Sequence, residues 1–421
     1  MADEEVFEEW TSYAKRKELL PRDIDLDSII KNSSSKIIAI TGVRRSGKSS
    51  ILMMLAQKLA DAGKKACYVN VEDSRIKDRP AVLDDAIKWF GDDGFMLLDE
   101  VTSARDWDGW LSRTHELLKG KLHVIVSSSR RSITFPSKPL RGRILAYEVF
   151  PLSFVEFLRF KGVGKEKTTA GRGKVERALE EYLKYGGFPE VVLTEDFTDK
   201  VRILDSYFKD IIGLDVAEIS KQDLSTVEVF GKYVIQANYF SASKCLNFLK
   251  TLGYKIGKEK ILELEKYSEA SYLFFFMTIF SHNIKDRSQY PRKAYLGDTG
   301  FYYGTSGKVN FGSGYENIVF LELKRRLREQ QKLYYWKNQA GLECDFVIKE
   351  GIGTAVAIQV VYDMDEEKTE ARERSGLLQC SNELAPSSTM IITRNIEKTE
   401  ETDGIKIKYI PIIDWLLDIR N

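Results

Sequence analysis

Gly42-Val43-Arg44-Arg45-Ser46-Gly47-Lys48-Ser49 fits the spacing G-x-x-x-x-G-K-[ST], and its surroundings decide how the rest of the chain is read. Upstream, Lys36-Ile37-Ile38-Ala39-Ile40-Thr41 is a short β-branched run of the kind that forms a buried strand. Downstream, Ile51, Leu52, Leu55 and Leu59 recur at helical spacing, and Gly63 supplies a stop. Strand, glycine loop and helix together aim backbone N–H groups and a helix N-terminus at an anion. Gly42 and Gly47 allow the backbone to come close to phosphates. The stretch therefore predicts a nucleoside triphosphate held by residues 42–50, from Gly42, Val43, Arg44, Arg45, Ser46 and Gly47 to Ser50. Lys48 is expected at the β- and γ-phosphates and the Ser49 hydroxyl on Mg²⁺.

Working outward, residues before Ile30 read as a charged helix, a turn at Pro21 and a second short helix. From Lys36 to about Ser153 strands and helices alternate, the pattern of a parallel sheet covered on both faces. Gly94-Phe95-Met96-Leu97-Leu98-Asp99-Glu100 is a buried strand ending in two acids. In phosphate-loop NTPases the first acid holds Mg²⁺ through its water shell, here Asp99, and the second orients the attacking water, here Glu100. Leu122–Val126 is the neighbouring strand, and Ser129, or secondarily Ser127, is expected to touch the γ-phosphate or that water. Arg143 or Arg141 is a candidate arginine finger, in its own subunit or a neighbour's, with a salt bridge as the competing use.

Composition sets the limits. A chain of 421 residues with 43% hydrophobic and 30% charged residues is globular, with core enough for two to four domains. A net charge of +1 leaves no global basic excess, so any nucleic-acid surface must be a local patch. The four cysteines lack C-x-x-C spacing and the three histidines are dispersed, which argues against a zinc site and for a reducing, cytoplasmic setting. The acidic N-terminus is unlike a signal peptide. Tyr272–Phe280 is the longest apolar run and falls short of the ~20 residues that span a bilayer.

Tyr239 to about Thr299 reads as a winged helix: Ser241 and Ser243 open one helix, Lys255–Tyr267 forms a second, and Tyr272–Phe280 pairs with Lys293–Leu296 around a polar tip. Lys255, Lys258 and Lys260 on the second helix, with Lys285, Arg287 and Arg292 at the tip, are the expected DNA contacts.

The set Gly42–Ser49, Asp99-Glu100, Leu140-Arg141-Gly142-Arg143, Pro151-Leu152-Ser153-Phe154 and Tyr185-Gly186-Gly187-Phe188-Pro189-Glu190 resembles the archaeal and bacterial AAA+-type ATPases of the "archaeal ATPase" group. The resemblance implies an α/β phosphate-loop NTPase with a helical lid, the winged helix and a C-terminal restriction-endonuclease-like α/β domain. The corresponding boundaries are 1–155 for the ATPase core with its N-terminal helix, 156–230 for the lid, 231–299 for the winged helix and 300–421 for the nuclease-like domain. It further implies ATP and Mg²⁺ as cofactors, DNA (branched or end structures in repair or recombination) as partner, and self-association, with a ring as one form. The nuclease-like site of that group corresponds to Glu316, Asp345 and a Glu-x-Lys. Here the last element is Gln359-Val360-Val361: the glutamine retains a carbonyl ligand without charge, and the valine replaces the lysine. The expectation is an ATPase acting on DNA with an incomplete nuclease-like site. Its rivals are a nucleotide-gated signalling or defence switch whose winged helix binds protein, and an active Mg²⁺-dependent nuclease.

Overall fold

The structure is a computed structural model and describes residues 2–129, 133, 140–164, 168–281, 283, 287, 289–362 and 367–418. The chain divides into two compact units, Met1–Pro151 with Ala270–Tyr272, and Leu152–Glu269 with Leu273–Asn421.

The first unit is built on five parallel strands, β1 (Ile37–Thr41), β2 (Ala66–Asn70), β3 (Gly94–Asp99), β4 (Leu122–Ser128) and β5 (Ile144–Glu148), in the order β2-β3-β4-β1-β5. Alternation along β1 divides the core. Ile38 and Ile40 pack with Ile51, Leu52 and Leu55 of the helix Lys48–Asp61, while Ile37 and Ala39 face Met96, Leu98, Val124 and Val126 on the other side of the sheet. Strand β4 runs two residues past its expected end at Val126, because its ladder with β1 continues through Ile40↔Ser127 and Thr41↔Ser128. That extension carries Ser127 into the sheet beside Asp99.

The second unit begins with the helix Phe154–Phe160, closed by a Ser153/Glu156 capping box as the Pro-Leu-Ser pattern anticipates. In the next helix, Thr169–Tyr185, the Thr168 hydroxyl accepts the Gly171 N–H and so offsets the poor helix propensity of Gly171 and Gly173. The helices Pro189–Leu193, Phe197–Asp210 and Leu224–Gln236 follow, with π-helical turns over Ile211–Ala217.

Strands β6 (Tyr239–Phe240), β7 (Phe274–Met277) and β8 (Arg292–Leu296) form a small antiparallel sheet in the order β6-β8-β7, with the helices Ala242–Thr251 and Lys258–Ala270 between β6 and β7. The second of these helices begins three residues later than expected, so Lys255 precedes it. The helix Phe311–Arg326 then leads into six strands, β9 (Gln331–Lys337), β10 (Glu343–Glu350), β11 (Gly353–Val361), β12 (Ser388–Thr393), β13 (Lys398–Thr402) and β14 (Ile405–Pro411), ordered β13-β14-β12-β11-β10-β9. The meander β9-β10-β11 is antiparallel, whereas β11, β12 and β14 are parallel, with the helix Glu367–Leu384 crossing between β11 and β12.

The Tyr185–Glu190 motif meets Leu152, of the Pro-Leu-Ser segment, inside the second unit. The Leu152 N–H donates to the Gly187 carbonyl at 2.7 Å, and the Tyr182 hydroxyl to the Leu152 carbonyl at 2.7 Å. Asp298 completes the junction by accepting the N–H groups of Gly187 and Gly300, each at 2.8 Å.

Candidate functional site

The phosphate-loop residues lie at the C-terminal end of β1. Gly42 has no room for a side chain: an ideal Cβ there falls 2.0 Å from the Val149 carbonyl oxygen. Gly47, with φ of +98°, turns the chain into the helix whose first residue is Lys48. Arg22, which the sequence reading did not single out, donates to the carbonyls of Ser46 (2.7 Å) and Phe150 (3.0 Å) and braces the loop from outside. Tyr272, in the short piece of chain that packs with this unit, donates to Thr41 at 2.9 Å just before the loop.

The Lys48 ammonium is buried, 3.2 Å from the Val43 carbonyl and 3.5 Å from Glu100 Oε1. Glu100 adopts a left-handed conformation (φ +49°), unusual for a residue with a Cβ, and is fixed on both sides. Its N–H donates to Ser127 Oγ at 2.9 Å, and its Oε2 accepts the Ser129 N–H at 3.0 Å. Asp99 is deeper: Oδ1 accepts the Ser127 hydroxyl and Oδ2 the Tyr68 hydroxyl at 2.7 Å, while Ser49 also hydrogen-bonds to it. Burial pushes the Asp99 carboxyl above its ordinary range and the Glu100 charge adds to this, with the three hydroxyls opposing. Burial also drives the Tyr68 phenol upward, so it remains a donor.

Of the two serines expected at the strand tip, Ser127 presents its hydroxyl to Asp99, and Ser129 holds Glu100 through its backbone. The Ser46 hydroxyl is buried with no protein partner at the loop, as fits a group kept for a ligand. The donor set suits a nucleotide with Mg²⁺: Ser49 and Asp99 would hold the ion, which supplies positive charge to phosphate oxygens. Arg143 ion-pairs with Glu116 at 3.0 Å, the use that competed with the arginine-finger reading.

Tyr68→Phe removes one of the donors to a buried carboxylate. A hydrogen bond to a charged group contributes about 1.5–3 kcal/mol, so thermal denaturation is expected to show a destabilised first unit with secondary structure intact. An unchanged melting temperature would mean that Tyr68 does not serve Asp99.

In the second unit the residues expected on a metal gather around an ammonium. Lys293 of β8 is buried, with Nζ 2.8 Å from Glu316 Oε1, 2.7 Å from Glu343 Oε1 and 2.7 Å from Asp345 Oδ1. The group lines a cavity of about 480 Å³, with Lys337, Arg372 and Glu373 among its other walls. Among the described residues no group of three or more His, Cys, Asp or Glu side chains is placed to hold a metal ion. Gln359, expected as a ligand, is turned to other work: its carbonyl oxygen accepts the Asp345 N–H at 3.1 Å and its amide donates to Glu373. Val361 packs into the apolar core with Trp336, Cys344 and Leu377. Sequence reading missed Glu343 and Lys293. The pair Glu343 and Asp345, two apart on one strand, was the available signal for the former.

The expected DNA contacts differ in their surroundings. Lys255, Lys258 and Lys260 are exposed, the last paired with Glu263 at 2.8 Å. Arg292 ion-pairs with Glu265 rather than pointing outward, because β8 turns it onto the helix Lys258–Ala270. Arg287 lies 5.9 Å from the centre of the Tyr334 ring, and Lys285 is outside the described residues. No helix among the described residues is long and apolar enough to cross a membrane.

Three family matches cover most of the chain: an AAA domain at residues 34–158, and domains of unknown function at 176–309 (DUF8612) and 311–413 (DUF4143). The uncharacterised protein MJ1544 of Methanocaldococcus jannaschii is 33% identical over 436 residues, 98% of this chain and 95% of that protein. An uncharacterised protein of Haemophilus influenzae is 24% identical over 418 residues, 95% of this chain and 99% of its own length. Among solved structures, AMPPCP-bound DnaA from Aquifex aeolicus shares 14% identity over 58% of this chain and 85% of that one, with a TM-score of 0.27, too loose a likeness to carry an argument.

Proposed function

The chain belongs to the family of the uncharacterised protein MJ1544 and carries an AAA domain, and from that premise we propose that it is a Mg²⁺-dependent ATPase that acts on DNA. The observation that carries the ATPase reading is the convergence of Lys48, Ser49, Asp99 and Glu100 at the loop, with Glu100 held by Ser127 and Ser129 in a strained conformation. Lys48 neutralises charge on the β- and γ-phosphates, and its contact with Glu100 loosens as it turns to them. Glu100 is then the carboxylate free to orient the attacking water, while Asp99 stays with Ser49.

The DNA reading has separate support. The winged-helix reading is supported by the strand order β6-β8-β7 with the helices Ala242–Thr251 and Lys258–Ala270 between β6 and β7, where Lys255 and Lys258 are exposed cations. The meander, crossover helix and parallel strand after the helix Phe311–Arg326 match the order of a restriction-endonuclease-like core. We read that domain as a DNA-gripping scaffold without a cleavage site, the helices 156–230 as the lid that passes on nucleotide state, and a ring as the form in which Arg141 would act on a neighbour's nucleotide.

The test is ATP hydrolysis with and without linear duplex, single-stranded and four-way-junction DNA, following DNA integrity in the same tubes. Stimulation by at least one DNA form, lost at high salt and reduced in Lys255→Glu/Lys258→Glu, is the expected result. An ATPase indifferent to every DNA, and no binding at low salt, would remove the DNA reading and leave the ATPase standing.

A further inference from the structure

The carboxylate centre around Lys293 is closed electrostatically by the chain itself. An ammonium has three donors and no acceptor, and those of Lys293 meet one oxygen each of Glu316, Glu343 and Asp345 at 2.7–2.8 Å. The carboxylates have further partners. Glu316 Oε1 also accepts the Tyr295 hydroxyl at 2.6 Å, Glu343 Oε2 accepts Tyr239 and Lys337, and Asp345 Oδ2 accepts the Val360 N–H at 2.9 Å. Three acids from two elements, the helix Phe311–Arg326 and β10, are thus gathered by a cation from β8, which belongs to another sheet.

We propose that Lys293 is the resident cation of this centre, occupying the position a divalent metal would take between Glu316, Glu343 and Asp345, so that the native protein holds these acids together without metal. The charge logic follows. Three carboxylates this close together, Asp345 buried and Glu316 and Glu343 half-buried, repel one another unless a cation sits among them. Each of the three acids has an oxygen within 2.8 Å of the one ammonium, so the cation is shared among all of them. The acids as they stand are not placed to hold a metal ion, but with the ammonium gone their hard oxygen donors are free to close on Mg²⁺ or Mn²⁺. The inference is independent of the DNA reading, and a failed DNA experiment leaves it intact.

The experiment is a Mn²⁺ titration of nucleotide-free protein, read by electron paramagnetic resonance and by thermal melting, on wild type, Asp345→Asn, Lys293→Met and Lys293→Met/Asp345→Asn. Wild type and Asp345→Asn are expected to show the same Mn²⁺ response, because the centre takes no ion in either. Lys293→Met is expected to melt lower in chelator, to gain one Mn²⁺ equivalent and to recover stability with it. The double variant loses that gain. Folding of Lys293→Met only when Mn²⁺ is in the buffer supports the proposal equally. A wild-type Mn²⁺ site that disappears in Asp345→Asn overturns it, whatever the variants do. A natively folded Lys293→Met that takes up no ion overturns it as well.

Discussion

Lys48→Ala is expected to lose ATP binding, and Glu100→Gln to keep the nucleotide and lose turnover. The two substitutions separate binding from chemistry at one site. Lys48 is buried beside the loop carbonyl of Val43, so alanine removes a charge that no solvent cation replaces at the same place. Charge-assisted contacts to two phosphates are together worth about 3–4 kcal/mol, or roughly two to three powers of ten in Kd. Glu100→Gln preserves size and the contact with the Ser129 N–H, because the amide oxygen still accepts. It removes the charge that polarises water, for which general-base catalysis supplies about 10²–10⁴-fold. Binding is expected to be unchanged or tighter, since Lys48 no longer divides itself between Glu100 and phosphate. Fluorescent-nucleotide titration and single-turnover hydrolysis measure the two effects. A Glu100→Gln protein hydrolysing at the native rate would show that another group handles the water. Asp99 is poorly placed for that work, since its oxygens are taken by Ser127, Tyr68 and Ser49.

Much of this site was legible because its parts are local. The loop spacing, the β-branched run before it and the apolar strand ending in Asp99-Glu100 each lie within ten residues, where periodicity and turn chemistry are informative. What escaped was long-range. Nothing near Arg22 announces carbonyl partners 24 and 128 residues away. In sequence Lys293 reads as the first residue of a hairpin strand with no role of its own, and its neighbour Arg292 as part of the polar tip. Alternation instead sends Arg292 to Glu265 and Lys293 to acids 23 to 52 residues further on. The choice between Ser127 and Ser129 turned on whether β4 ends at Val126, which depends on its ladder with β1 and on no residue of its own. The Gly-Gly-Phe-Pro motif stood out only as a family mark, because its physical partner Asp298 lies 111 residues away.

That partnership yields the second large effect. Gly186→Ala is expected to destabilise the second unit by about 4 kcal/mol or more, from backbone strain of ~1–3 kcal/mol plus the loss of hydrogen bonds to a buried carboxylate. Gly186 sits at φ +74°, ψ −163°, a region essentially confined to glycine, and a Cβ there would stand 1.6 Å from Asp298 Oδ1. The carboxylate must move, and the N–H groups of Gly187 and Gly300 lose their acceptor. For a unit of this size the melting temperature is expected to fall by roughly 10 °C. Asp298→Asn tests the same junction gently: the amide offers one oxygen to two donors, at a cost of about 1–3 kcal/mol. It also carries a pH signature. Burial raises the Asp298 carboxyl to about 7, opposed by the two glycine N–H groups. A carboxyl raised on folding favours the folded state fully below its unfolded value near 4, and that contribution is lost as pH climbs through about 7. The melting-temperature gap between wild type and Asp298→Asn is therefore expected to be wider at pH 5 than at pH 8. A gap that stays constant, or widens toward pH 8, would mean that the two N–H bonds outweigh burial and that Asp298 is held as an ordinary ionised carboxylate.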